Sequence, residues 1–236
     1  MMKSILMKAC VYSVFLLLIV PLAAVSAPSS GQSAYRILID PAHGGTDAGV
    51  SVSSRATEKD ITLAVALSLK KILEGGNGRL KVQLTRTSDK TVSVNDRIKM
   101  VKALKPDLLI SLHVNAGFGP EASGYEISFP GQKYMKNGAA AGTPEIVKDM
   151  EKTQYTNGSI RLAQMIQKNL EGVFPRKGRG IREVPVPILA TLSAPSVCVE
   201  LGFLTNRSDK DKLLGKDGQK EIARALGRGI RDYFNL

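Results

Sequence analysis

The feature that most constrains this chain is the alternation of short apolar runs with amphipathic stretches from residue 35 onward. Arg36-Ile37-Leu38-Ile39 is a strand of buried type ending at Asp40-Pro41. Thr57 caps a helix predicted from Glu58 to about Leu73, with Asp60 at the capping-box position and Ile61, Val65, Leu69 and Ile72 on one face. Gly75-Gly76 stops it, and Leu80 to Leu84 is a second strand. Ser93 and Asp96 open a helix to about Leu104, and Asp107 to Leu112 is a third strand. Gly124 to Phe129 and Ser196 to Leu201 are further strands, and a last helix runs from about Gly218 to Tyr233. This order predicts an α/β single domain, a mostly parallel twisted sheet flanked by helices on both faces.

Three segments stand apart from the rhythm. Residues 1–27 read as a secretory signal, with Lys3 and Lys8 before the apolar run Val11 to Val20 and small residues at Val25-Ser26-Ala27. The alternative is an uncleaved anchor, for which the run is short. Residues 28–34 form a flexible lead-in to a domain at 35–236. Residues 131–158, rich in Gly, Ala, Thr and Asn, read as an insertion. It holds one short helix started by Thr143-Pro144-Glu145 and ends before a separate helix from Ser159 to Leu170.

Composition narrows the chemistry. There are 2 His, 2 Cys and no Trp, which excludes a Cys-rich zinc module, a c-type haem site and a disulfide framework. Removal of 27 of the 236 residues takes Lys3, Lys8 and Cys10, so the net charge falls from +12 to +10. Cys198 is then the only thiol, and within Pro195-Ser196-Val197-Cys198-Val199 it reads as a small buried hydrophobe. The scattered Lys and Arg, densest at Arg176-Lys177-Gly178-Arg179, carry no nucleic-acid-binding signature. For an exported protein, carboxylate-rich wall or anionic lipid is the expected polyanion, and solubility is the plain alternative.

His43 follows the first strand, His113 ends the third, Glu200 lies at a later strand's end, and Glu58 opens the first helix. The carboxyl ends of strands are where open α/β sheets build their sites. Two His and a carboxylate form a catalytic zinc set with a position left for water, and a further carboxylate can shuttle the proton. The assignment is His43, Glu58 and His113 as ligands and Glu200 as base and acid. Taken singly, each His also reads as a hydrogen-bonding strand-end residue and Glu58 as a solvated helix-start acid. Glu200, inside the apolar run 197–203, points to function more sharply, because a lone charge there is costly. Gly44-Gly45 lacks the rest of a phosphate loop, and Ser111 lacks a nucleophile elbow.

The segments 37–47, 58–60, 111–116 and 195–206 together resemble the zinc-dependent N-acetylmuramoyl-L-alanine amidases of the type 3 catalytic domain. Leu84-Thr85-Arg86-Thr87-Ser88-Asp89 and Arg97 follow in the expected order. The resemblance spans about 35–236 and implies one zinc ion held by His43, Glu58 and His113, with Glu200 catalytic. It implies hydrolysis of the amide between N-acetylmuramic acid and L-alanine of the stem peptide in peptidoglycan. Arg182 is a candidate contact for stem carboxylates, and Asn115 a second candidate substrate contact. The chain departs from the family at Ala42, where Gly is usual and where a shift of His43 is the expected consequence, and at Ser51, Ser53 and Ser54.

The resemblance further implies export, to the periplasm or beyond, with no membrane span after cleavage and no nucleic-acid partner. Exported division amidases of this kind carry a helix over the zinc site that LytM-domain activators displace. Glu145, Asp149 or Glu151 of the 131–158 segment are the candidate autoinhibitory ligands, and a surface loop is the alternative. A zinc peptidase acting within the stem, and a non-catalytic wall-binding regulator, are the rival functions.

Overall fold

Each half of the βαβ pattern closes on a hydrogen-bonded start and stop. The computed structural model describes residues 34–54, 56–76, 78–135, 142–191 and 193–236. The expected signal at 1–27 and the lead-in up to Ser33 lie outside the described residues. Among the described residues no helix is long and apolar enough to cross a membrane.

The elements are β1 (Tyr35–Pro41), β2 (Ser51–Ser53), β3 (Ala56–Thr57), α1 (Glu58–Glu74), β4 (Leu80–Leu84), α2 (Val94–Leu104) and β5 (Leu108–Asn115). They continue with β6 (Tyr125–Phe129), α3 (Glu145–Leu170), β7 (Gly178–Glu183), β8 (Ser196–Phe203), α4 (Arg207–Leu214) and α5 (Lys216–Phe234). Thr57 and Ser93 cap α1 and α2 by accepting from the backbone N–H of Asp60 and Asp96. Six strands form one sheet in the order β4-β1-β5-β8-β6-β7. β4, β1, β5 and β8 run parallel, while β6 is antiparallel to β8 and carries β7 parallel to itself. β2 and β3 pair as a small separate ribbon.

Both faces of the sheet are covered, which is why its inner strands read as continuous apolar runs. Ile37, Ile39, Ile110, Val197, Val199 and Ile127 face α1, α3 and α5, in one core with Leu69, Ile166 and Leu226. Leu38, Leu109 and Cys198 face the other way, against Val101 of α2 and Ile188 and Leu189 of the β7–β8 connection. Cys198 is free and buried there.

α3 corrects the expected break before Ser159. It runs unbroken for 26 residues. Asn157-Gly158 is poor helix sequence, but a Cβ on Gly158 would stand 2.6 Å from the Pro195 ring, so packing demands glycine there. Ser159 accepts from the Ser196 N–H at 2.9 Å and donates to the Tyr155 carbonyl, tying mid-helix to the start of β8.

Candidate metal centre and active site

The alternation of side chains fixes what shares the face covered by α2. Asp40 of β1, Ser111 and His113 of β5, Glu200 of β8 and Glu126 of β6 have the parity of Leu38, Leu109 and Cys198. Glu200 is in register with His113 on one side and with Glu126 on the other.

His43, Glu58 and His113 come together. One ligand atom from each lies within 4.8 Å of the others. Glu58 is buried rather than solvated, 2% exposed, between the two imidazoles. Its Oε2 is 3.1 Å from His43 Nε2 and its Oε1 is 3.1 Å from His113 Nδ1. Backbone N–H groups of Val50 and Val114 donate to the same carboxylate at 2.9 and 3.1 Å. A Cβ on Gly49, which has a φ of 63°, would fall 2.5 Å from Glu58 Oε2, so only glycine passes behind the carboxylate. Asp47 accepts from His43 Nδ1 at 2.7 Å, which turns Nε2 toward Glu58.

The charges follow from this geometry. Burial pushes the Glu58 carboxyl up, but hydrogen bonds from His113, His43 and the two backbone N–H groups overcome it and hold the group at about 2. The hydrogen bond to Glu58 leads in raising His43 to about 9, with Asp47 adding to it against burial. Glu200 behaves oppositely. Burial raises it to about 7, helped by the Glu58 and Glu126 carboxylates and opposed by the histidines. Its Oε2 is buried and has no hydrogen-bond partner among the described residues. A buried carboxylate oxygen left unsatisfied beside two imidazoles and a carboxylate fits a site that completes itself with a cation and its water.

A buried polar network sets the loop that carries His43. Arg97 donates to Asp40, to the carbonyls of Pro41 (3.0 Å), Val92 (3.1 Å) and His43 (2.6 Å), and to Thr85. Thr85 and Ser111 hydroxyls donate to Asp40 as well, so Ser111 is structural. Arg86 donates to the carbonyls of Pro41, Ala42 and Lys59. These bonds hold His43 itself at a φ of 59°. Ala42 is buried with its carbonyl taken by Arg86 and Thr62, and the positive φ angles fall at His43, Gly44 and Gly45 instead. The Ala42 departure therefore leaves His43 on its partners.

A cavity of about 300 Å³ opens beside the two histidines, lined also by Thr91–Val94 and Val186–Ile188. Asn115 accepts from its own neighbour's N–H (Ala116, 2.8 Å), which is a turn contact. Arg182 lies on β7 with its Nε 3.3 Å from Glu126.

Glu145, Asp149 and Glu151 are not brought to His43, Glu58 and His113. α3 packs on the opposite face of the sheet. Ser159 sits at the start of β8, while Tyr125, near the Glu200 end, donates to the Gln167 carbonyl. The helix start therefore projects past the end of the sheet remote from Glu200. Glu145 and Asp149 pair instead with Lys148 and Lys152 of their own helix. A helix over the site is thus absent from 145–170.

Asp47, Arg97 and Glu126 escaped sequence reasoning as working residues. The signal for Arg97 and Arg86 was their place in the motif order, without a role. Glu126 alternates with apolar neighbours as any half-exposed strand residue does.

Residues 37–232 match the family model described as N-acetylmuramoyl-L-alanine amidase. The chain is 32% identical over 220 residues to the uncharacterised protein YqiI of Bacillus subtilis, covering 93% of each. It is 31% identical to the N-acetylmuramoyl-L-alanine amidase CwlM of Bacillus licheniformis, over 85% of this chain and 69% of that protein. The crystal structure of an N-acetylmuramoyl-L-alanine amidase from Clostridium difficile superposes with a TM-score of 0.71 at 30% identity, over 86% of this chain and 98% of that one.

Proposed function

The chain belongs to the N-acetylmuramoyl-L-alanine amidase family, and from that premise we propose that it is an exported, zinc-dependent peptidoglycan hydrolase cleaving the amide between N-acetylmuramic acid and L-alanine. The observation that carries this reading is the triangle of His43, Glu58 and His113 beside the buried, unpartnered Glu200 oxygen. His43, Glu58 and His113 would hold the zinc ion, which would supply Lewis-acid activation of the scissile carbonyl and of the attacking water.

The chain's own residues do the rest. Asp47 fixes the His43 tautomer, and Val50 and Val114 fix the Glu58 carboxylate, so the ligand set is built before anything binds. Glu200, with a proton affinity near neutrality, takes a proton from the attacking water and delivers it to the departing L-alanine amine. The cavity beside the histidines, bounded by Thr91–Val94 and Val186–Ile188, offers a partly apolar seat for the substrate. Export rests on the signal-like residues 1–27.

Glu200→Gln keeps the side chain's shape and removes its proton chemistry. The expected result is a fall in kcat of about 10²–10⁴-fold, with zinc content by atomic absorption unchanged at one per chain. Full activity in that variant sinks the assignment.

A further inference from the structure

Beyond Glu200 the same face of the sheet carries a second carboxylate, which takes no proton in the hydrolytic step. Glu126 is in register with Glu200 across the β8–β6 pair, about one strand spacing (~4.8 Å) away. Two guanidinia from β7 converge on it, Arg182 at 3.3 Å and Arg179 at 3.6 Å. Arg182 is in register with Ser128, which shares the face of Glu126, so it points to the site's side of the sheet. Arg179 also lies over the Phe203 ring, 5.0 Å from its centroid, which keeps it from swinging free into solvent. One carboxylate thus holds two cations, leaving a net positive charge and unused N–H donors beside the general base.

We propose that Arg179 and Arg182 are a carboxylate-recognition site for the stem peptide, reading the α-carboxylate that stays free on a second residue joined to the third through its side-chain carboxyl. This rests on the amidase reading above. The chemistry of the two sides of the scissile bond differs. The lactyl side is neutral once its carboxyl is in amide linkage, and it suits the cavity lined by Val92, Val94, Val186 and Ile188. The peptide side carries carboxylates. Two stem residues span at most about 7 Å when extended, and with a hydrogen bond of about 2.9 Å to a guanidinium they cover the two strand spacings (~9.6 Å) from β8 across β6 to β7. Planar guanidinia bind carboxylates in two-pronged fashion, and Glu126 sets their orientation before the substrate arrives. A stem whose second residue is amidated offers a neutral carboxamide and loses the charge-assisted bonds.

The test uses two muramyl tripeptides that differ only in that group, free α-carboxylate against α-carboxamide, with the zinc-loaded wild-type enzyme and the double variant R179Q/R182Q. The wild type is expected to prefer the carboxylate by about tenfold in kcat/KM, the lower end for bonds to a charged group because both guanidinia are about half exposed. The preference resides in KM, and in the double variant the ratio collapses toward one. Equal cleavage of both substrates by the wild type, or a preference that survives in the double variant, overturns the arginine assignment. Failure of the wild type to cut the muramyl–alanine bond in either substrate overturns the amidase reading itself, so the two failures are distinct.

Discussion

Arg97→Met removes the cation at the centre of the network behind His43. The guanidinium of Arg97 is buried, with a side chain 7% exposed, and its partner Asp40 is 4% exposed. Three of its other bonds go to the carbonyls of Pro41, Val92 and His43. Deleting one member of a buried pair strands the other charge and costs about 3–5 kcal/mol. Asp40 keeps the Thr85 and Ser111 hydroxyls, which places the expected loss toward the lower part of that range. For a domain of this size about 3–5 kcal/mol lowers Tm by roughly 6–20 °C. The assay is urea unfolding of the metal-free protein, run as a cycle with Asp40→Asn and the double variant. Neutralising the stranded charge is expected to return about 1.5 kcal/mol or more, so the double variant is more stable than the two single losses added together. A loss under about 1 kcal/mol in Arg97→Met, or strict additivity in the cycle, refutes the view that this pair organises the loop.

Two further outcomes follow from the site and from α3. In the metal-free protein Glu58 is held at about 2 against an ordinary 4.5, so its contribution is complete above pH 4.5 and lost as pH falls toward 2. Glu200, raised from 4.5 to about 7, and His43, raised from 6.5 to about 9, act the other way, and stability declines as pH rises through 4.5–7 and then 6.5–9. Urea midpoints of the metal-free protein should therefore peak near pH 4.5 as far as these groups set them, and a midpoint that climbs between pH 6.5 and 9 contradicts the geometry. Replacing Glu145, Asp149 and Glu151 together by Ala should leave basal hydrolysis unchanged, because the start of α3 lies away from Glu200. A rise in basal rate measured by dye release from labelled peptidoglycan contradicts that placement.

The legible part of this fold was the part whose signals are local. Thr57 and Ser93 cap their helices where the sequence predicts, and β4 begins and ends on the expected residues. The site was legible because its residues gather toward the carboxyl ends of the strands: His43 follows β1, and His113 and Glu200 stand side by side in the second halves of β5 and β8, which run on to Asn115 and Phe203. Glu58 shows the limit. At a helix start an acid looks solvated, and only the approach of β5 and of the 43–50 loop buries it. β7 was hidden for another reason. As an edge strand exposed along most of its length it carries no apolar alternation, and it reads as a basic cluster with glycines. α4 and the β2–β3 ribbon are too short to carry an apolar period. The continuity of α3 depended on Gly158 meeting Pro195, a contact between segments 37 residues apart that no window of sequence contains.

With a metal held by His43, Glu58 and His113, Glu200 is expected to hydrolyse the muramyl–alanine bond. Digestion of purified peptidoglycan with and without a chelator, followed by mass spectrometry of the soluble products, tests it most directly. Intact stem peptides beginning at L-alanine are expected, lost with the chelator and restored by zinc. Products cut within the stem, cleaved glycan, or release that ignores the chelator contradict it.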